Sequence, residues 1–258
     1  MRIVVLVKQV PDTYGDRKIN TETGLVDRGA SDAVIDEIGE RAVEAALTIQ
    51  AAVADTTVTV VTVGPEGAVD GLRKTLAMGA DDALHIVDPE LAGADLSLTA
   101  EVLAAAVKPL GADLILTGNL STDGAGGVLP AMLAEHLGLP HATNLSSIEV
   151  DGGVVRGTRV VEGGAATVKA GLPAVASITE ALPDPRFASL KGIMAAKKKP
   201  LATKTAGDLD ADVAGARAAR SIVIAAAERP ARQAGIKIVD EGDGGVKLAE
   251  FLIANKLA

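Results

Sequence analysis

The sequence predicts an α/β protein with three layers, α/β/α, around a mostly parallel β-sheet, together with an antiparallel hairpin and a C-terminal extension. Three observations predict it. Short β-branched apolar runs alternate with helical patterns up to Pro140, which is the order of elements in βαβ units. Beyond Pro140, two strand patterns flank an Asp-Gly turn. An amphipathic helical pattern lies near the end of the sequence.

The first half alternates predicted strands with predicted helices. Ile3–Val7 is a continuous apolar run, as expected of a parallel strand that is buried on both faces. Apolar residues at helical spacing then extend from Ile35 to Ile49, after the possible caps Ser31 and Asp32. The alternation continues through strands at Val58–Val63, Leu84–Val87 and Leu114–Thr117 and helices around Val69–Leu76, Leu98–Val107 and Gly127–Leu137.

The second half has a different pattern. Asp151 and Gly152 supply the turn of a hairpin. Pro183–Lys199 has neither period and is predicted as a long ordered loop or a short helix. Thr203–Arg220 is rich in Ala, Gly and Asp and is predicted as a connecting segment on the surface. The regular elements predicted here are strands at Ser147–Val150, Val154–Val161 and Leu172–Thr179 and a final helix around Val246–Ile253.

Composition argues against several classes of function. The chain has no cysteine, which excludes disulfides, thiolate chemistry and Cys-ligated metals and is compatible with the cytoplasmic location that we expect. A net charge of −9 argues against nucleic-acid binding, and three aromatic residues are too few for a base-stacking platform. The first apolar run is too short to span a bilayer, so we expect a soluble protein without membrane insertion. The histidines lack metal-ligand spacing and are interpreted as structural or surface residues: His85, His136 and His141.

One glycine-rich segment stands out among those that follow predicted strands. In an open parallel sheet, ligands bind beyond the carboxyl ends of the strands. The segments that lie there are Lys8–Asp12, Asp36–Gly39, Val63–Pro65 and Thr117–Gly127. The last has small residues that allow close backbone approach, and it precedes a helix start with free N–H groups for a phosphate. It is either a nucleotide phosphate site or a plain turn, and it matches neither the P-loop nor Gly-x-Gly-x-x-Gly.

Five segments occur in a characteristic order: Val7–Asp12, Arg73–Asp81, Thr117–Gly127, Leu172–Val175 and Pro185–Lys199. In this order and spacing, the chain resembles the β subunit of electron-transfer flavoproteins (the FixA-type family) from Met1 to at least Ile238. The resemblance implies a Rossmann-like, adenine-nucleotide-binding fold with a structural AMP in this chain. It also implies an α subunit that holds most of the FAD, close to the boundary with β. Residues 1–200 would then be the nucleotide-binding domain with the hairpin and recognition loop, and residues 201–258 a C-terminal arm that packs on the α subunit.

The resemblance also implies site residues. The adenine and ribose side of the AMP site would comprise Leu6, Val7, Asp36, Glu37, Ile38, Gly39 and Val63. The phosphate side would comprise Gly118, Ser121, Thr122, Asp123, Gly124, Ala125, Gly126, Gly127, Val128 and Leu129. Many relatives have asparagine at the position of Asp36 and a Gln-Thr or Gln-Val pair at Val128-Leu129. We therefore expect phosphate contacts from the backbone N–H groups of Gly124–Gly127.

The segment Pro185–Lys199 resembles the family's recognition loop for partner dehydrogenases. Leu190 falls on the anchoring leucine of that loop, and an apolar anchor within a basic rim is typical of binding hot spots. From the residues alone, a solvated lysine run beside a core leucine is the alternative. The expected rim consists of Arg186, Lys191, Lys197, Lys198 and Lys199.

The function implied is that of an electron carrier without a bond-making active site. The heterodimer would accept electrons from acyl-CoA and other flavin dehydrogenases, as in fatty acid oxidation. It would pass them to the electron-transfer flavoprotein–quinone oxidoreductase of the membrane or to another acceptor. Three alternatives remain: a bifurcating β subunit with its own FAD, an ATP-activating enzyme, and a stand-alone ATP- or AMP-binding module of the universal-stress type.

Overall fold

The computed structural model of the chain describes residues 1–15, 17–209, 219–231 and 234–257. The chain divides into two units, Met1–Ala226 and Ala227–Ala258. The first unit contains all the strands described below, and the second contains one helix. Among the described residues, no helix is long and apolar enough to cross a membrane.

Strands and helices follow one another along the chain much as predicted. The strands are β1 (Arg2–Leu6), β2 (Gln9–Pro11), β3 (Ala33–Ile35), β4 (Thr57–Val63), β5 (Asp82–Ile86), β6 (Leu114–Gly118), β7 (His141–Asp151), β8 (Val154–Val161), β9 (Gly164–Gly171), β10 (Ala174–Ile178) and β11 (Leu201–Lys204). The helices are α1 (Glu37–Ala52), α2 (Ala68–Met78), α3 (Leu96–Val107), α4 (Leu129–Leu137), α5 (Leu190–Ala196) and α6 (Gly244–Ala254).

The large sheet has nine strands in the order β11-β5-β4-β1-β6-β10-β7-β8-β9. Strands β11 to β7 in this order are parallel to their neighbours, whereas β8 and β9 are antiparallel. Strands β2 and β3 form a separate antiparallel pair. The chain builds outward from β1 through β4 and β5 and then returns to the other side of β1 with β6. The topological switch point, where ligands bind in such sheets, therefore lies between β1 and β6.

The core lies on both faces of the sheet, as the continuous apolar run in β1 predicts. Ile3 and Val5 point into a cluster formed with α1, α2 and α5. Val4 and Leu6 point into a second cluster formed with α3 and α4. Successive side chains of a strand face opposite sides, so one short strand contributes to both clusters. The three-layer α/β/α architecture is confirmed.

The start of α1 differs from the prediction. Asp36, and not Ser31 or Asp32, caps the helix by accepting from the N–H of Ile38. The predicted helical pattern began at Ile35, but that residue ends β3 and pairs with Gln9. Pairing with β2 draws the chain into a strand, so the helix begins only after Asp36.

Four strands were not predicted: the short pair β2 and β3, and β9 and β11 in the large sheet. β9 continues the predicted hairpin into a three-stranded antiparallel meander. β11 pairs in parallel with β5 and extends the sheet past residue 200, so the surface connection predicted for Thr203–Arg220 is wrong at its first residues. Residues 210–218 of that segment lie outside the described part. In the second unit, the final helix is confirmed as α6, and its side chains Val246, Leu248, Phe251 and Ile253 are exposed.

Candidate functional site

The candidate site lies at the switch point between β1 and β6. Leu6 pairs with Thr117, so the next residues along each strand, Val7 and Gly118, also lie side by side at the carboxyl edge. A Cβ at Gly118 would lie 2.9 Å from Cγ2 of Ile38. Only glycine therefore allows the end of β6 to approach the start of α1 this closely.

The residues predicted for the adenine and ribose side are only partly brought together. A Cβ at Gly39 would lie 3.7 Å from the Cα of Val7, so Val7, Ile38, Gly39 and Gly118 meet at one place. The side chain of Leu6 packs into the core on the face of the sheet opposite to that of Val7. Val63 ends β4, next to β1.

Asp36 holds the glycine-rich loop against the start of α1. Its side chain is buried. One carboxylate oxygen accepts from Ile38 N at 3.1 Å, and the other accepts from the N–H of Thr122 at 2.6 Å and from its hydroxyl at 2.8 Å. Both oxygens of the carboxylate are thus engaged by the protein, so the structure gives Asp36 a loop-anchoring role.

Asp123 makes the second anchor of the loop. Its carboxylate lies 2.7 Å from Lys8 Nζ and 3.4 Å from Arg28 Nη2, and it accepts from Gly124 N at 2.7 Å. Burial raises the pKa of Asp123, but the hydrogen bond and charge of Lys8, together with donors from Ser121 and Gly124, outweigh it and hold the pKa below its usual value. The carboxylate is therefore ionised at neutral pH.

Three cations converge on residues 121–124. Lys8 and Arg28 bind Asp123, and Arg17 donates to the carbonyl and hydroxyl oxygens of Thr122. Together with Asp36, these side chains carry three positive and two negative charges. Sequence reasoning placed Lys8 in a segment at the carboxyl edge of the sheet but gave it no role in the site, and it missed Arg17 and Arg28 because no periodicity or motif links them to a loop about a hundred residues away.

The loop leaves backbone donors open at the start of α4. Among the described residues, no side chain caps this helix, and the cap position Val128 is followed by Pro130 in the first turn. The N–H groups of Gly126, Gly127 and Val128 also find no acceptor within the described part of the chain. Free N–H groups at a helix N-terminus attract anions, so this arrangement fits a phosphate.

His85 lies on β5, next to the turn that follows β4 and to the predicted adenine side. It is buried on β5 opposite Thr62, and its Nε2 has no partner among the described residues. Burial lowers the pKa of His85, although the carbonyls of Gly64 and Pro65 act in the opposite direction. The imidazole is therefore neutral, and the structural interpretation of this histidine agrees with its burial.

The predicted docking segment forms the short helix α5 on the surface. Leu190 is 84% exposed, which excludes the alternative of a core leucine. Phe187 and Met194 are also exposed, and so are Lys191, Lys197 and Lys198. The segment therefore presents an exposed apolar patch with lysines beside it.

Two cations of the predicted rim are engaged by the protein itself. Arg186 binds Glu44 through its backbone N–H and its guanidinium. Lys199 Nζ donates to the carbonyls of Leu76, Gly79 and Ala80 at 3.1, 3.1 and 2.6 Å, and so caps the C-terminus of α2. Of the five predicted rim residues, Lys191, Lys197 and Lys198 are the exposed ones outside these contacts.

Comparison with known proteins gives consistent matches. A family model described as the electron transfer flavoprotein domain matches residues 23–209. The electron transfer flavoprotein subunit beta of Mycobacterium leprae is 47% identical over 99% of this chain and 98% of its own length. The Mycobacterium tuberculosis protein of the same name is 46% identical with the same coverage. That of Syntrophomonas wolfei is 36% identical over 98% of this chain and 96% of its own length.

Proposed function

The chain belongs to the electron-transfer flavoprotein family as a β subunit, and we propose that it pairs with an α subunit in an FAD-containing electron carrier. The near-complete coverage of relatives that are called beta subunits supports the need for such a partner. We further propose that the β subunit carries one AMP and docks the electron-donating dehydrogenases, and that the carrier works in the cytoplasm.

The observation that carries the AMP proposal is the convergence at the β1–β6 switch point. The anchored loop presents open backbone donors at Gly126–Val128, next to a cluster with excess positive charge. Lys8 and Arg28 would contribute that charge to the phosphate, while Val7 and Gly39 would line the adenine and ribose side. The strand end approaches α1 closely at Gly118, and this contact would form the back of the site.

FAD would supply the electron-accepting group, and the α subunit would hold most of it. The role of this chain would be to cover one side of the cofactor and exclude water. The exposed apolar side chains of the second unit, among them Ile236, Val239 and Ile253, support packing of the C-terminal arm on the α subunit, because monomeric proteins rarely leave such patches uncovered.

The exposed face of α5 supports the docking role. Leu190, Phe187 and Met194 offer an apolar surface, and Lys191 and Lys197 lie close to it in sequence. Acyl-CoA dehydrogenases and other flavin dehydrogenases would bind here, and the reduced carrier would then deliver electrons to a membrane quinone oxidoreductase. An apolar centre with a charged rim gives affinity and orientation together.

The test is co-purification with an α subunit, followed by denaturation and counting of the released nucleotides. We expect a 1:1 heterodimer with one FAD and one AMP. Two FAD and no AMP would establish the bifurcating alternative. A homodimer that is indifferent to the α subunit would favour the stress-type module and refute the carrier.

A further inference from the structure

Helix α5 is held on the body of the protein by its inner face. Ala196 is buried there, and a Cβ at Gly192 would lie 2.3 Å from the carbonyl oxygen of Ala77 in α2. These two positions are four residues apart and therefore lie on one face of the helix. Leu190 and Met194 have the same spacing and are exposed, so they form the outer face.

The C-terminal end of α5 is fastened to α2. Arg73 Nη1 donates to the carbonyls of Ala196 and Lys199 at 2.8 and 3.1 Å. Lys199 in turn donates to the last carbonyls of α2, Leu76 among them. The peptide that leaves α5 is therefore fixed by both side-chain and backbone groups.

The N-terminal approach to α5 is fastened to α1. The carboxylate of Glu44 accepts from the backbone N–H of Arg186 at 3.0 Å and from Nε and Nη2 of its guanidinium, each at 2.8 Å. One turn earlier, Arg41 donates to Leu182 O and Asp184. Three hydrogen bonds to one carboxylate define the path of the chain more strictly than a single ion pair would.

We propose that Glu44 is a positioning residue for partner docking: it holds Arg186, and so fixes the segment that leads into Leu190, in the geometry the partner binds. The proposal rests on the docking function proposed above. Rigidity before binding matters because ordering a loop during association lowers the affinity. Arg186, already occupied by Glu44, thus serves the shape of the segment and does not contact the partner.

Helix α1 offers a matched control one turn before Glu44. Glu40 is 13% exposed and Glu44 15% exposed, and each binds a cation on a neighbouring element. The partner of Glu40 is Lys74 of α2, which lies outside the docking segment. The cations of the two pairs, Lys74 and Arg186, are 57% and 44% exposed and regain water when the carboxylate is removed, so we expect either replacement to leave the fold intact.

The experiment uses the αβ heterodimer and an acyl-CoA dehydrogenase, with flavin reduction followed as the heterodimer concentration is varied. We expect Glu44→Ala and Arg186→Ala each to raise the KM for the heterodimer about threefold to tenfold. In these variants the segment before Leu190 would have to become ordered during binding, and this lowers the affinity. The double variant should be no worse than Glu44→Ala, because Glu44→Ala already removes the guanidinium contact that Arg186→Ala removes. The kcat, the FAD content and the reduction by dithionite should stay unchanged, and Glu40→Ala should match the wild type.

Other results would overturn the proposal. A raised KM in Arg186→Ala with a normal KM in Glu44→Ala, or losses that add in the double variant, would show that Arg186 contacts the partner. An equal effect of Glu40→Ala would show a general effect of surface charge. If Glu44→Ala folds poorly, Glu44→Gln, which keeps one acceptor oxygen, replaces it. A normal KM in Leu190→Ala would refute docking at α5 itself. A raised KM in Leu190→Ala with a normal KM in Glu44→Ala would refute only the positioning role of Glu44.

Discussion

Replacement of Asp123 by alanine tests the candidate nucleotide site directly. Asp123 is the group that joins the glycine-rich loop to Lys8 and Arg28. Without it, the loop loses its charged anchor, and Gly124 N loses its shorter hydrogen bond and keeps only the one to Ser121 Oγ at 3.4 Å. We expect both the stability and the AMP content of the heterodimer to fall.

The size of the loss follows from the exposure of the groups left behind. Breaking a fully buried ion pair costs about 3–5 kcal/mol, because an unpaired charge stays buried. Here the Asp123 side chain is 2% exposed, but Lys8 and Arg28 are 42% and 43% exposed and regain water when unpaired. The expected loss of unfolding free energy is therefore about 2 kcal/mol, which lies within the range of about 1.5–3 kcal/mol for hydrogen bonds to charged groups. Lost AMP would add about 2.7 kcal/mol at a ligand concentration a hundred times the Kd.

The assay is thermal unfolding of the heterodimer with and without added AMP, together with nucleotide analysis of the purified protein. For a chain of this size, about 2 kcal/mol lowers the Tm by roughly 4–8 °C. Added AMP should raise the Tm of the wild type more than that of Asp123→Ala. Full AMP occupancy and an unchanged Tm in the variant would show that the nucleotide lies elsewhere.

The same carboxylate gives a pH dependence with a defined sign. Because the folded-state pKa of Asp123 is below the ordinary value of 3.8, its contribution to stability is fully present above that value. It is lost as the pH falls through the folded-state pKa. The stability difference between wild type and Asp123→Asn should thus be constant near neutral pH and shrink in acid. A difference that grows in acid would contradict the ion-pair assignment.

Three further predictions concern single groups. Leu190→Ala should slow flavin reduction by a dehydrogenase about thirtyfold, yet change the unfolding free energy by only about 0.5 kcal/mol or less because the side chain is 84% exposed; a large loss of stability would contradict the docking role. Lys198→Gln should weaken the salt dependence of association with a dehydrogenase. Lys199→Gln should instead lower the Tm, because it removes the hydrogen bonds to the carbonyls at the C-terminus of α2. The same Tm and the same salt dependence in both variants would refute this distinction. Gly127→Val should lower AMP content more than Gly126→Val, because only Gly127 has a positive φ, 67°.

The parallel sheet was predictable because its central strands carry their signal in adjacent residues. Ile3–Val7 is apolar on both faces, and this pattern survives folding because each face meets its own cluster. β9 and β11 had no such signal. β9 is made largely of Gly and Ala, and β11 has four residues. Each forms because an existing strand, β8 or β5, offers unpaired backbone groups at its edge.

The loop of the candidate site was predictable from its glycines, but its electrostatics were not. Small residues between a strand and a helix suffice to indicate close backbone approach. Lys8 and Arg17, by contrast, reach the loop from 115 and 105 residues away in sequence. Such contacts depend on the strand order, which places β1 beside β6, and no local pattern records it.

Arg186 and Lys199 show why a basic segment cannot be read as a uniform docking rim. Arg186 and Lys199 carry the same charge as Lys197 and Lys198, but within the described part of the chain the fold brings acceptors only to Arg186 and Lys199 among these four residues. Arg186 meets a carboxylate and Lys199 meets the end of a helix, so their charges hold α5 in place. The exposed charges outside these contacts are those of Lys191, Lys197 and Lys198. The same basic segment therefore divides into groups that fix its shape and groups that face the solvent, and variants of the two kinds should fail in different ways.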